Sequence, residues 1–155
     1  MVGASFEWDD LDEDALKTLA ARAADCLVPG DVVVLKGEVG AGKTTFVRAA
    51  ARALGVREAV TSPTYQFARG YEGSLSGCAV AVNHLDLYRL EALDARDALD
   101  LDEYLDADGV TFVEWADPVV GILTTEPSVV EIFHRSPTLR RVRFSGPIAA
   151  RLSSC

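Results

Sequence analysis

The sequence is poor in the residues that mark secreted, membrane-borne or nucleic-acid-coating proteins. Among 155 residues there are three cysteines, Cys26, Cys78 and Cys155. Their number is odd, no two are closely spaced, and no nearby histidine completes a zinc pattern, so neither a disulfide framework nor a structural metal is expected. Reduced thiols in a cytoplasmic setting are the expectation. No apolar run approaches the roughly 20 residues that cross a bilayer. The acidic stretch at the start is the reverse of the basic-then-apolar pattern of a secretory signal. Basic residues are scarce as well, 15 against 24 acidic ones, for a formal charge of −9. That balance repels a phosphate backbone and argues against direct, extended binding of RNA or DNA. Repeats, low-complexity tracts and Pro- or Gly-rich linkers are missing too, so residues 1–155 read as one domain. A chain of this size buries about two-thirds of its unfolded surface and needs no staple.

What charge there is lies in blocks. Six of the eight residues from Glu7 to Asp14 are acidic, and nine more acids fall between Asp86 and Asp108. After Glu131 the sign reverses, with Arg135, Arg140, Arg141, Arg143 and Arg151 and no acid among them. Such blocks are either solvated surface or polarised faces for docking partners.

Hydrophobic spacing supplies the elements. Ala15, Leu16, Leu19, Ala20, Ala23 and Leu27 recur at helical intervals, with acids ahead of them near the positive end of the helix dipole. This predicts a first helix over 12–26, stopped by Pro29-Gly30. The β-branched run from Asp31 to Leu35 predicts a strand covered on both faces. Helical spacing resumes from Lys43 through Phe46, Val47, Ala50 and Leu54, with Gly55 as the stop. Ala79–Leu85 and Val110–Val113 predict two further buried strands, each followed by an acid, Asp86 and Glu114, with one or two short helices between them from Glu91 to Tyr104. Ser128–Phe133 and Leu139–Phe144 read as closing strands at an antiparallel edge. Strands alternating with helices predict an α/β fold, a doubly wound, mostly parallel sheet with antiparallel C-terminal edge strands.

Between the first predicted strand and the second helix stands Gly37-Glu-Val-Gly-Ala-Gly-Lys-Thr44, which fits the P-loop pattern at every fixed position. Each residue type has a physical reason. The glycines let successive backbone N–H groups turn inward around a phosphate, and the helix that follows adds its partial positive charge at the same place. Lys43 is the candidate ligand of the β and γ phosphates, and the Thr44 hydroxyl a candidate ligand of Mg²⁺. Only three lysines occur in the chain, Lys17, Lys36 and Lys43. None lies in the Asn/Thr-Lys-x-Asp context that reads guanine, so ATP is the expected nucleotide. Leu75-Ser-Gly77 matches part of a transporter-ATPase signature, but Cys78 breaks it and the segment reads as a loop. Asp86 and Glu114, at strand ends, are both candidates for the second carboxylate of the metal site. His84 and His134 are single histidines and read as structural, because metal sites come as clusters.

Four blocks together resemble the TsaE family, small bacterial P-loop ATPases of tRNA threonylcarbamoyladenosine biosynthesis. They are Gly37–Phe46, Thr61-Ser-Pro-Thr-Tyr65, His84-Leu-Asp-Leu-Tyr-Arg89 and Val113-Glu-Trp115, in matching order across residues 12–118. The resemblance implies that Gly40, Ala41, Gly42, Lys43, Thr44 and Thr45 cradle the phosphates and that Thr44 and Glu114 ligate Mg²⁺. Asp86 would stand beside the ion or orient the attacking water. Ser62, Pro63 and Thr64 would form a switch-like loop near the γ phosphate. Trp115 would pack or dock, and Arg89 would neutralise phosphate charge or pair with a neighbouring acid. Asp12 and Glu13 would lie near adenine, although Leu16 stands where many relatives carry threonine. Lys43, Asp86 and Glu114 are then the candidate catalytic residues of an Mg²⁺-dependent ATPase, weak alone. It would work through TsaD- and TsaB-type partners, touching tRNA only through them and no membrane. Two other readings stand beside this one: a small-molecule kinase whose Arg140, Arg141 and Arg143 grip an anionic acceptor, and a nucleotide-binding scaffold without turnover.

Overall fold

The structure, a computed structural model, describes residues 5–61, 67–88, 101, 103–105 and 108–155, without the side chains of 118, 120 and 122. In chain order the elements are β1 (Ser5–Leu11), α1 (Glu13–Asp25), β2 (Val32–Lys36), α2 (Lys43–Ala53), β3 (Ala68–Leu75), β4 (Cys78–Asp86) and β5 (Gly109–Glu114). A 3-10 helix (Asp117–Ile122), β6 (Ser128–His134), β7 (Arg140–Ser145) and a short α3 (Pro147–Leu152) follow. The expected helix therefore begins on schedule: Asp12 caps it by accepting from the Ala15 amide at 2.8 Å, with Glu13 and Asp14 in the first turn.

Among the described residues seven strands form one sheet in the order β1-β7-β6-β2-β5-β4-β3. Its centre, β6-β2-β5-β4, is parallel, and both edges are antiparallel. β2 shows why its sequence has no polar alternation. Val33 and Leu35 join the core under α1, α2 and α3, while Val32 and Val34 join a second core on the opposite face with Leu85, Val113 and Leu101.

The expected parallel centre with antiparallel edges is present; two details need correcting, and one strand, β1, is additional to those predicted. β6 is not part of an edge pair; it lies in the centre, parallel to β2, and only β7 turns back antiparallel to it. Alternating apolar residues announce a strand but not the direction of its neighbour. The outermost strand on that side is β1, made from the acidic stretch that precedes the first helix. There Phe6 and Trp8 pack on the core while Glu7 and Asp9 face the other way. The two charge blocks thus meet: Glu7 pairs with Arg143 at 2.8 Å, and Asp9 with Arg135 at 3.0 Å and Arg141 at 3.1 Å. Finally, the cysteines are not all free. α3 brings the C-terminus back to the end of α1, Arg151 grips Asp31 and the Cys26 carbonyl, and Cys155 is joined to Cys26 in a disulfide. Cys78 is free and exposed. A separation of 129 residues hides that pairing from any spacing rule.

The Leu75-Ser-Gly77 segment is, as expected, a loop: Ser76 and Gly77 carry φ of 53° and 81° and turn β3 into β4. The helices expected over 91–104 fall largely outside the described residues. Among those that are described, no helix is long and apolar enough to cross a membrane.

Candidate active site

β2 ends at Lys36, and the chain leaves it through a loop that only glycine can build at two points. Gly37 has φ of 154°, and a Cβ there would stand 2.7 Å from the Ile132 carbonyl oxygen of β6. Gly42, with φ of 114°, opens α2 as its N-cap and brings no side-chain acceptor to the first-turn amides. Its missing Cβ would lie 3.0 Å from Leu16 of α1, so Leu16 packs against the loop as an apolar neighbour. The loop and the first turn of α2 line one wall of a cleft of about 430 Å³; Asp86, Tyr88, Glu114 and Trp115 line the other.

The parallel register brings the opposite wall together. β4 and β5 run side by side with Asp86 opposite Glu114, and Glu114 is in turn opposite Leu35 of β2. Both acids therefore sit at the carboxyl ends of strands that flank the loop, where open α/β sheets bind ligands. Glu114 is only 3% exposed. Its carboxylate meets His84 Nε2 at 2.6 Å, and His84 is 1% exposed. With a carboxylate as the acceptor, Nε2 carries the hydrogen. Nδ1 is buried with no hydrogen-bond partner among the described residues.

Lys43 is nearly as buried, 6% exposed, and donates to the Gly37 carbonyl at 2.6 Å while facing the Trp115 ring at 3.7 Å. Burial lowers its pKa, and the charges of Glu114 and Asp86 oppose that shift. Asp86 moves the other way. Burial raises its pKa, the Tyr88 amide bond to Oδ1 at 3.1 Å pulls it down, Glu114 adds to the rise, and His84 and Lys43 oppose it. Trp115 follows Glu114 with φ of 57°, a left-handed conformation that costs a tryptophan of order 1–3 kcal/mol. That turn carries its ring over Lys43 and against Tyr88, at 5.0 Å between ring centres.

Of the residues singled out from the sequence, Gly40, Gly42, Lys43, Thr44, Thr45, Asp86 and Glu114 share this cleft, with Ala41 buried behind the loop. Glu13 does not join them. It pairs with Lys17 at 3.0 Å and lines a wider groove of about 730 Å³ between α1 and α2, touched from the cleft side by Thr45. Ser62, Pro63, Thr64 and Arg89 lie outside the described residues. The three arginines of the kinase reading are spread over other duties: Arg141 and Arg143 pair with Asp9 and Glu7, and Arg140 holds main-chain carbonyls. His84, read from the sequence as structural, and Arg140, read as part of a basic run or a grip on an anionic acceptor, stand beside the site. For His84 a signal existed, since it lies two residues before Asp86 on one strand and so shares its face.

No three His, Cys, Asp or Glu side chains converge as a ready metal cage among the described residues. Mg²⁺ does not require one; one or two carboxylates plus substrate phosphates and water suffice. The donor set of Thr44, Glu114 and Asp86 fits that chemistry.

A buried parallel strand, a glycine loop opening a helix, and two carboxylates on the neighbouring strand ends make this an α/β protein of the P-loop NTPase-like class. Comparison with known proteins narrows the class. Residues 11–142 match the family model described as threonylcarbamoyl adenosine biosynthesis protein TsaE, and the chain belongs to the TsaE family. Relatives include the tRNA threonylcarbamoyladenosine biosynthesis protein TsaE of Bacillus subtilis, 34% identical over 90% of this chain and 85% of that protein. The Streptomyces coelicolor protein of the same name is 45% identical over 72% of this chain and 74% of its own length. Among solved structures, Bacillus subtilis YdiB superposes with a TM-score of 0.74 at 28% identity, covering 99% of this chain and 96% of that one.

Proposed function

We propose that the chain is the ATP-binding and ATP-hydrolysing component of tRNA threonylcarbamoyladenosine formation, acting in the cytoplasm within a complex of TsaD- and TsaB-type proteins. The observation that carries this reading is the convergence of Lys43, Asp86 and Glu114 on one cleft beside the glycine loop, from three separate parts of the chain. Family membership supplies the pathway. Thr44 and Glu114 would hold Mg²⁺, which when bound neutralises phosphate charge. Lys43 binds the β and γ phosphates from the first turn of α2, and the amides of that turn orient them. Asp86, two residues beyond His84 on β4, accepts the proton of the attacking water or holds that water in line. Half-buried Trp115 and exposed Tyr88 form the rim, where a partner can cover the cleft and exclude solvent.

The acidic balance fits a protein that serves tRNA chemistry without holding the RNA. A fold of this size spends most of its residues on the nucleotide, which leaves the second substrate to other subunits. The test is ATP turnover by wild type, Lys43→Ala and Glu114→Ala, each with and without the partner pair, following labelled γ phosphate. We expect weak release of inorganic phosphate that rises with partners and is lost in both variants. Transfer of label to a metabolite favours the kinase instead, and unchanged turnover and nucleotide affinity on mixing rejects the partner-coupled reading.

A further inference from the structure

The glycines that let the loop turn around a phosphate also let it turn away. Peptide planes next to glycine reorient at little steric cost, and Gly40 and Gly42 flank Ala41 on both sides. A cradle that is to meet phosphates without reorganising needs something outside the loop to fix those planes. Arg140, at the start of β7 and about 100 positions away in sequence, does this. Its Nε donates to the Ala41 carbonyl at 2.8 Å and its Nη2 to the Gly40 carbonyl at 3.4 Å. Nη1 donates to the carbonyls of Ser136 at 3.0 Å and Leu139 at 3.1 Å. The main chain of Arg140 is anchored in turn, opposite His134 of β6 and Leu11 of β1.

A trans peptide points its C=O and the following N–H in opposite directions. Holding the Ala41 carbonyl toward Arg140 therefore aims the Gly42 amide the other way. The Ala41 amide is already spent on the Glu38 carbonyl at 3.0 Å, which leaves Gly42 as the first amide of the loop that this grip directs. A lysine cannot do the same work, because one ammonium lacks the planar fork that reaches several fixed carbonyls. Arg141 and Arg143 next along the strand are committed to carboxylates. Arg140 alone of the three is spent on the loop.

We propose that Arg140 is a positioning residue of the phosphate loop: its guanidinium pins the Gly40 and Ala41 carbonyls outward so that the amides from Gly42 onward face a nucleoside triphosphate. The ligand half of this statement rests on the nucleotide reading above; the loop half does not. The test uses the full chain with Arg140→Met, Arg140→Gln and Arg140→Lys and two measurements. Amide hydrogen exchange across Gly37–Thr45, without nucleotide, is expected to quicken about tenfold or more in the Met variant while β4 and β5 keep wild-type rates. Affinity for Mg-ADP is expected to fall about ten- to a hundredfold, the range of lost hydrogen bonds to a charged group. Lys, which keeps charge without the fork, should recover only part of it. Where turnover is measurable, KM should rise more than kcat falls. Wild-type exchange in the Met and Gln variants overturns the proposal, and so does full recovery by Lys, which would make charge the cause. If wild type itself fails to bind nucleotide, the proposed function falls, and the exchange measurement still decides the role of Arg140.

Discussion

Replacing His84 by leucine keeps most of the buried volume beside Glu114 and removes the 2.6 Å contact of Nε2 to its carboxylate. Both side chains are almost wholly shielded, at 1% and 3% exposure, so solvent screening does little here. Breaking a buried pair by removing one partner costs about 3–5 kcal/mol. Against this, leucine also removes the partnerless Nδ1, and a buried polar atom without a hydrogen bond costs roughly 1–3 kcal/mol. The net expectation is a loss centred near ~2 kcal/mol, which in a domain this size lowers the thermal midpoint by roughly 4–8 °C. Denaturant melts of wild type, His84→Leu, Glu114→Gln and the double variant form a cycle that isolates the pair. The neutral amide of Glu114→Gln has far less need of the histidine, so the leucine change should cost much less in that background. An equal loss in both backgrounds would refute the reasoning and leave His84 as a packing residue.

Asp86 should leave a pH signature. Its carboxyl pKa lies above the ordinary 3.8 in the folded chain, chiefly through burial, so the folded state holds the proton more tightly than the unfolded one. The stability this gives is complete below the ordinary value and is lost as pH rises through the raised one. Asp86→Asn should accordingly stabilise the nucleotide-free protein at neutral pH, with the gain vanishing on acidification; a gain constant across pH would contradict the assignment. Gly42→Ala, at φ of 114° and 3.0 Å from Leu16, should cost about 1–3 kcal/mol. Gly40→Ala, at φ of 79° in open space, should cost about 1–2 kcal/mol at most, and equal midpoints for the two would count against the packing argument. Intact protein kept from reductant should weigh two hydrogens less than reduced protein, and Cys155→Ser should lower the free energy of unfolding by about 2–4 kcal/mol. Identical masses would show the cysteines to be free.

What the sequence made legible was local. The P-loop could be read because its glycines, Lys43 and Thr44 lie within eight residues and their spacing is the chemistry. Asp86 and Glu114 could be read because each closes an apolar run. Their meeting depends on β4 and β5 being parallel neighbours in register, which neither run reveals alone. Whatever needed pairing across the chain stayed hidden. β1 looked like a solvated acidic lead-in because its alternation of Phe6 and Trp8 with Glu7 and Asp9 makes sense only once β7 supplies the arginines. Arg140 looked like one member of a basic run until the fold set it against carbonyls on the phosphate loop.

These pairings bear on how a chain of formal charge −9 would serve the polyanionic nucleotide proposed for it. Long-range repulsion is screened over about 8 Å at physiological salt, so the acids that matter are those at the cleft. On β1, Glu7 and Asp9 are already paired with Arg143, Arg135 and Arg141 across the sheet edge. At the cleft, Lys43 and the start of α2 face Asp86 and Glu114, the two acids suited to a divalent cation. The local balance therefore favours phosphate only when the cation comes with it. Nucleotide affinity should accordingly fall when Mg²⁺ is withdrawn, and Glu114→Gln should shrink that dependence by removing one of the charges the cation offsets. Affinity for ADP that is indifferent to Mg²⁺ in wild type would show that the two acids do not act on the phosphates at all.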